Sequence, residues 1–333
     1  MKVLFIGGTG VISSACSRLA VRRGMELYLL NRGRTERPIP AGAQVLNGDI
    51  RDRGSAERAL KGATFDAVVD WVVFTPEQLE ADIELFRGRT GQYVFISSAS
   101  AYQKPIAHLP ITESTPLHNP FWAYSRAKIA CEERLVRAYR QEGFPITIVR
   151  PSHTYDRTKV PLMGHYTDID RMRRGKKVVV HGDGMSLWVL THHEDFAKGF
   201  VGLLGNDHAI GNAVHITSDE VLTWNQIYTI MAHAAGVEPQ IVHVPSEVIA
   251  TFDAEVGAGL LGDKAHSVIF DNTKIKRLVP DFVASVPFSQ GAREIVDWFD
   301  AEPTRQVVDH EVDGMIERIV SSFTRFHDPR GNE

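Results

Sequence analysis

The stretch Lys2-Val3-Leu4-Phe5-Ile6-Gly7-Gly8-Thr9-Gly10-Val11-Ile12-Ser13 sets a short apolar strand, a glycine turn and a helix start in immediate succession. In α/β proteins this arrangement seats the diphosphate of a dinucleotide. Gly7 permits the tight turn, and Gly10 lets backbone N–H groups approach phosphate oxygens. A helix over 11–23 then aims the positive end of its dipole at them. Gly7, Thr9, Gly10, Val11 and Ile12 are therefore the first candidate cofactor contacts. A glycine loop also occurs as a bare βα turn, but its place after a strand and before a helix favours the ligand.

The alternation continues outward from this stretch. Residues 3–6, 26–30, 44–46, 67–71, 93–96 and 146–149 read as short, continuously apolar strands, the pattern of a parallel sheet covered on both faces. Helices are expected between them at 11–23, 54–60, 76–86 and 124–142. The expected fold class is α/β, a doubly wound parallel sheet with ligands at the carboxyl ends of its strands. Past residue 152 the rhythm changes. Residues 152–175 read as a polar loop, 178–181 as an isolated strand and 194–204 as a helix. Residues 214–217 read as a strand returning to the sheet, and Thr223 as the cap of a helix running to 235. Short strands at 241–244 and 267–270, a helix at 289–299 and a frayed tail complete the pass. A dinucleotide-binding domain is expected over 1–152, rejoined by 191–218, with a smaller substrate domain built from 153–190 and 219–330.

Composition narrows the function classes. Hydrophobic residues make up 43% and charged residues 23% of the 333, as in globular proteins. A net charge of −4 gives no bulk attraction to nucleic acid or an anionic membrane, so neither partner is expected. Cys16 and Cys131 fall in separate expected helices and suggest neither a disulfide nor a zinc site. The apolar start is too short for a signal peptide, and no run approaches the roughly 18 residues of a membrane span. A cytoplasmic protein is expected.

Further candidates sit at the strand ends. The second strand closes Leu29-Leu30-Asn31-Arg32-Gly33-Arg34. An acidic residue there accepts hydrogen bonds from an adenosine ribose, whereas Asn31 followed by Arg32 and Arg34 suits a 2′-phosphate. The cofactor is thus NADP or NAD, with the arginines favouring NADP. In Asn47-Gly48-Asp49-Ile50, Asp49 is placed to receive an adenine amine while Ile50 packs on the ring. Trp71, Ser97 and Pro151, at later strand ends, complete the expected cofactor contacts. Tyr124 and Lys128 lie at i and i+4 on one helix face. An ammonium beside the phenol is expected to draw its pKa down from about 10. With Ser98 they form an acid/base set for moving a proton while a hydride moves at carbon. His192-His193-Glu194-Asp195 has no third ligand at metal-binding spacing, so no metal is expected. Arg171, Arg173 and Arg174 with Lys176-Lys177 read as a solvated basic face.

These motifs together resemble the extended short-chain dehydrogenase/reductases, the NAD-dependent epimerase/dehydratase group. The shared segments are Gly7-Gly8-Thr9-Gly10, Gly48-Asp49-Ile50, Ser97-Ser98-Ala99-Ser100, Tyr124 with Lys128, Arg150-Pro151, His181-Gly182-Asp183-Gly184 and Thr191-His192-His193-Glu194-Asp195. The resemblance implies a Rossmann-like domain, Ser98, Tyr124 and Lys128 as catalytic trio, and a homodimer through the 124–142 helix. Departures bear on the substrate. Ser13 replaces the third loop glycine, which loosens the expected helix–strand packing. Ala99-Ser100 stands where 4,6-dehydratases carry Asp-Glu. Trp188 and Leu260-Leu261 occupy places where relatives hold a nucleoside diphosphate with arginine. Lys159, Lys264 and His266 are the basic residues left to rebuild such a grip. His153 replaces an asparagine, and an imidazole titrating near neutrality would contact substrate or act as a second acid/base, the equal alternative being a structural, hydrogen-bonded histidine. The expected activity is NAD(P)-dependent reduction or epimerisation at a hydroxyl or keto carbon. The substrate is expected to be small, a sugar or nucleotide sugar, held by Ser98, His153 and Trp188. The alternative is a non-catalytic nucleotide- or RNA-binding member, which the retained Tyr124 and Lys128 and the acidic balance disfavour.

Overall fold

Seven parallel strands form the central sheet of the computed structural model, which describes residues 1–33 and 37–327 and side chains as far as 323. They are β1 (Lys2–Ile6), β2 (Glu26–Asn31), β3 (Gln44–Asn47), β4 (Ala67–Asp70), β5 (Tyr93–Ile96), β6 (Ile146–Pro151) and the strand Ala213–Ile216. In space the order runs Ala213–Ile216, β6, β5, β4, β1, β2, β3. The chain reverses direction of travel across the sheet at β1, where Ile6 is in register with both Leu30 and Asp70. A crevice opens at such a switch point, immediately beyond Ile6.

Alternation of side chains along the strands builds two apolar layers. Val3 and Phe5 pack with Val69, Cys16, Phe196 and Phe200 on one side. Leu4 and Ile6 pack with Val68, Leu60, Ile83 and Leu135 on the other. Helices α1 (Val11–Arg22), α2 (Arg53–Leu60), α3 (Pro76–Phe86) and α4 (Ala123–Glu142) follow their strands. Cys16 and Cys131 are both free and buried, in opposite layers. Among the described residues no helix is long and apolar enough to cross a membrane.

The second half departs from the expected reading in several places, and the helices Ser246–Phe252, Ala254–Gly259 and Thr273–Leu278 are among the elements it lacked. The supposed loop 152–175 contains a strand, His153–Tyr155, and a helix, α5 (Tyr166–Arg173). Strand Lys177–His181 is not isolated but pairs in parallel with Gln240–Val244. Residues 267–270 form no strand, only a single bridge from Phe270 to Ile111. A helix at His310–His327 had no counterpart in the reading. The basic run is not a solvated face either. Arg171 is 1% exposed and paired with Asp313 and Glu317, Arg173 with Asp300, and Arg174 with Asp170. The Arg171 and Arg173 pairs tie α5 to the helices His310–His327 and Phe288–Asp300. Helix α6 (His193–Leu203) begins where expected and packs against α1.

Candidate active site

The glycine loop lies at the switch point and is shaped by its backbone. Gly7 and Gly8 have φ of +98° and +93°, a region open to glycine and strained for other residues. A Cβ on Gly8 would meet Leu29 at 2.7 Å and Ser17 at 3.2 Å. Ser17 fixes the turn by donating its hydroxyl to the Gly8 carbonyl at 2.8 Å. Ser13 does not loosen the loop as expected. Its buried hydroxyl accepts from the Gly10 N–H at 2.7 Å and closes the helix start. The first turn of α1 carries no acidic side chain.

A cleft of about 690 Å³ runs along this loop, lined by Gly7 through Ser13, Asn31, Arg32, Asp49, Ile50 and Trp71. Its glycine cradle and acid-free helix start suit a dinucleotide diphosphate. Asn31 is nearly buried, and with its amide NH2 facing inward it donates to the Gly7 carbonyl at 2.5 Å. It therefore braces the loop. Arg32 is more than half exposed and lies 4.0 Å from Asp49, so its charge is only loosely engaged. Asp49 also holds its own turn, accepting from the Arg51 N–H at 3.0 Å. Arg34 lies outside the described residues.

A second cavity, of about 370 Å³, continues from the first, with Ile12, Trp71, Phe74 and Ile96 lining both. It gathers Ser97, Ser98, Tyr124, Lys128, Pro151, His153 and Trp188 from five separate segments. Ser98 follows β5, where its Oγ lies 2.9 Å from Ser100 Oγ, which accepts in turn from Ser125 on α4 at 2.8 Å. Ser97 turns the other way. Its hydroxyl donates to Glu132 at 2.5 Å, inside the buried Glu132–Arg150 ion pair. Pro151 ends β6 and is buried at the cavity wall.

Tyr124 and Lys128 share a face of α4, but the electrostatics differ from expectation. Lys128 is 3% exposed and donates to the carbonyls of Val73 (2.6 Å) and Ile96 (2.8 Å). Burial lowers its ammonium from 10.5 to about 8, against the pull of Cys131, Asp70 and Glu132. The ammonium sits 5.8 Å from the Tyr124 ring centroid. The phenol is not drawn down. Burial raises it above its usual 10, the Ser98 hydrogen bond opposes that rise, and the Asp263 carboxylate adds to it.

His153 faces the cavity as expected but does not titrate near neutrality. Burial pushes its imidazole well below 6.5, and the nearby charges of Lys264 and Lys159 push the same way. Its Nδ1 accepts from the Trp188 indole N–H at 3.1 Å, so the neutral ring carries its proton on Nε2. Trp188 itself is 3% exposed and packed on Trp224 at 5.4 Å, leaving little of its ring open to stack on a ligand. His192 pairs with Glu294 and His193 with the Val11 carbonyl, in different directions. His266 bonds to the Leu261 carbonyl and lines a separate surface pocket. Phe74, Trp122, Asp263 and Phe270 also line the cavity and were not picked out as site residues. Only Trp122, two places before Tyr124, offered a sequence signal.

Residues 3–216 match the model of the NAD dependent epimerase/dehydratase family. The 2′-dehydrokanamycin reductase of Streptomyces kanamyceticus is 26% identical over 286 residues, 85% of this chain and 80% of that one. The chloroplast stem-loop binding protein of 41 kDa b of Arabidopsis thaliana is 27% identical over 261 residues, 73% and 65% of the two chains. Among solved structures, the UDP-glucose 4-epimerase of Thermotoga maritima superposes with a TM-score of 0.73 at 19% identity, covering 90% of this chain and 99% of that one. With nearly two thirds of its length matched, the chain belongs to the NAD dependent epimerase/dehydratase family.

Proposed function

We propose that this protein moves a hydride at a hydroxyl or keto carbon of a small sugar-like substrate, with Tyr124 exchanging the proton at oxygen. One observation carries the reading: the cavity holding Ser98 and Tyr124 adjoins the glycine-loop cleft, with Ile12, Trp71, Phe74 and Ile96 lining both. A nicotinamide dinucleotide bound in that cleft supplies or takes the hydride. The chain's own groups do the rest. In the reductive direction Tyr124 donates its phenolic proton to the carbonyl oxygen, and in the oxidative direction it takes the hydroxyl proton. Ser98, held by Ser100, hydrogen-bonds the same oxygen. Lys128 places positive charge beneath the phenol, and neutral His153 donates from Nε2 to a substrate acceptor. Trp71, Phe74 and Ile96 exclude water where the two spaces meet. Residues 1–152 with 191–218 carry the cofactor in this reading, and the remaining segments carry the substrate.

With a reductase and UDP-glucose 4-epimerases among its relatives, both outcomes fall within one mechanism. A dinucleotide retained through purification marks an epimerase, and one that exchanges freely marks a reductase. An RNA-binding role, after the chloroplast relative, has less support in a chain with net charge −4 and both Tyr124 and Lys128 in place.

Calorimetric titration of NADP⁺ and NAD⁺ tests the cofactor half of the proposal. A charge-assisted phosphate contact from Arg32 is worth roughly 1.5–3 kcal/mol, so NADP⁺ should bind about tenfold more tightly or better. Arg32→Ala should narrow that gap. Equal affinities would refute the NADP preference, and binding of neither would refute the function.

A further inference from the structure

Two lysines in the catalytic cavity lack the neutralising partners found elsewhere in the molecule. Lys159 and Lys264 both line the space that holds Ser98 and Tyr124. Among the described residues neither ammonium has a hydrogen bond or ion pair, and the Lys264 ammonium lies 5.6 Å from the Trp122 ring centroid. Arg171, Arg173 and Arg174 behave differently, since each holds a carboxylate. Asp263 is the one carboxylate lining the cavity. It is already engaged from behind by Lys104, which is 1% exposed and 3.6 Å away. The cavity wall therefore carries excess positive charge in a partly desolvated space.

That arrangement has a cost which the Asp156 carboxylate, already paired with Arg37, offsets only in part for Lys159. Burial lowers the Lys159 ammonium from its usual value, and the Lys264 charge lowers it further. Both ammoniums also hold His153 neutral. A bound anion would relieve the repulsion and the desolvation together. A cation would add to both.

The geometry points to a substrate bearing a compact anionic group, a carboxylate or a phosphate, seated between Lys159 and Lys264 in the cavity that presents its reacting carbon to Tyr124. The inference deepens the hydride-transfer reading and rests on it only for the word substrate. Anion selectivity is a property of the two lysines whatever Tyr124 does. Sugars with an acidic substituent fit, neutral sugars fit less well, and amino sugars are rejected.

The test uses the dinucleotide-saturated protein, followed by tryptophan fluorescence, with glucuronate, glucose 6-phosphate, glucose and glucosamine as matched probes. At least one acidic sugar should saturate at a concentration about tenfold or more below glucose and glucosamine, and added salt should weaken that preference. Glucuronate and glucose 6-phosphate, compared with each other, separate a carboxylate site from a phosphate site. A Lys159→Met/Lys264→Met double variant should lose the selectivity while keeping its dinucleotide affinity, which also shows that it is folded. Equal binding of all four sugars, saturation by neither acidic one, or selectivity surviving in the double variant would overturn the inference. Selective anion binding with no hydride transfer in the wild-type protein would leave the inference standing and refute the function proposed above.

Discussion

Lys128 is a charge placed where it is difficult to keep. Two carbonyls, Val73 and Ile96, hold its ammonium in a buried site that lowers it to about 8. Because burial raises Tyr124 above 10, the phenol stays protonated well past the point where Lys128 gives up its proton. The account therefore expects reductive turnover to fall as pH rises through about 8, with the limb belonging to Lys128. A pH profile of kcat measured with saturating dinucleotide checks this, and a profile flat across that range would contradict it. The i, i+4 spacing that pairs the two residues was legible in the sequence. The direction of the tyrosine shift was not. Spacing reports an ammonium one turn away, but desolvation depends on side chains such as Phe74 and Phe270 that arrive from other segments. His153 was misread for the same reason. Its position in the cavity followed from its place after β6, whereas its low basicity comes from burial and from Lys264 and Lys159, which share the cavity with it.

Helix α5 shows why some elements are hard to read. Its eight residues, Tyr166-Thr167-Asp168-Ile169-Asp170-Arg171-Met172-Arg173, bury Asp168 and Arg171 beside Ile169 and Met172. A helix that buries charges in ion pairs and hydrogen bonds shows no clean apolar stripe. Asp168 accepts from the Gly164 N–H at 2.8 Å and the Tyr228 hydroxyl at 3.4 Å, yet burial raises its carboxyl from 3.8 to about 6. A carboxyl raised on folding stabilises the protonated native state. That contribution is complete below about pH 4 and is lost as pH rises through about 6. Relative to an Asp168→Asn variant, the protein should lose about 3 kcal/mol of stability between pH 4 and 7. Urea unfolding at both pH values measures the difference, and parallel stabilities would refute the assignment. Elements with strong periodicity fared better. The helix capped by Thr223 spans Trp224–Ala234, and its cap accepts from the Gln226 N–H. The six leading strands also lie where the apolar runs put them, and in β1, β4, β5 and β6 the cause is burial on both faces, whereas β3 is an exposed edge strand.

At the scale of the whole molecule, the sheet, its crevice and the family were all legible from the first glycine loop and the spacing of later motifs. The junction between cleft and cavity was not, since it is made by Ile12, Trp71, Phe74 and Ile96 meeting across two strand ends and a helix. In the proposed reaction this junction joins the cofactor site and the proton donor, whose roles are separable. Removing only the Tyr124 hydroxyl separates them most directly. In a Tyr124→Phe variant, hydride transfer should fall about a hundredfold or more while dinucleotide affinity stays within about twofold of wild type. Single-turnover absorbance of the dinucleotide, paired with calorimetry on the same samples, reads both quantities. Undiminished hydride transfer by the Tyr124→Phe protein would contradict the account.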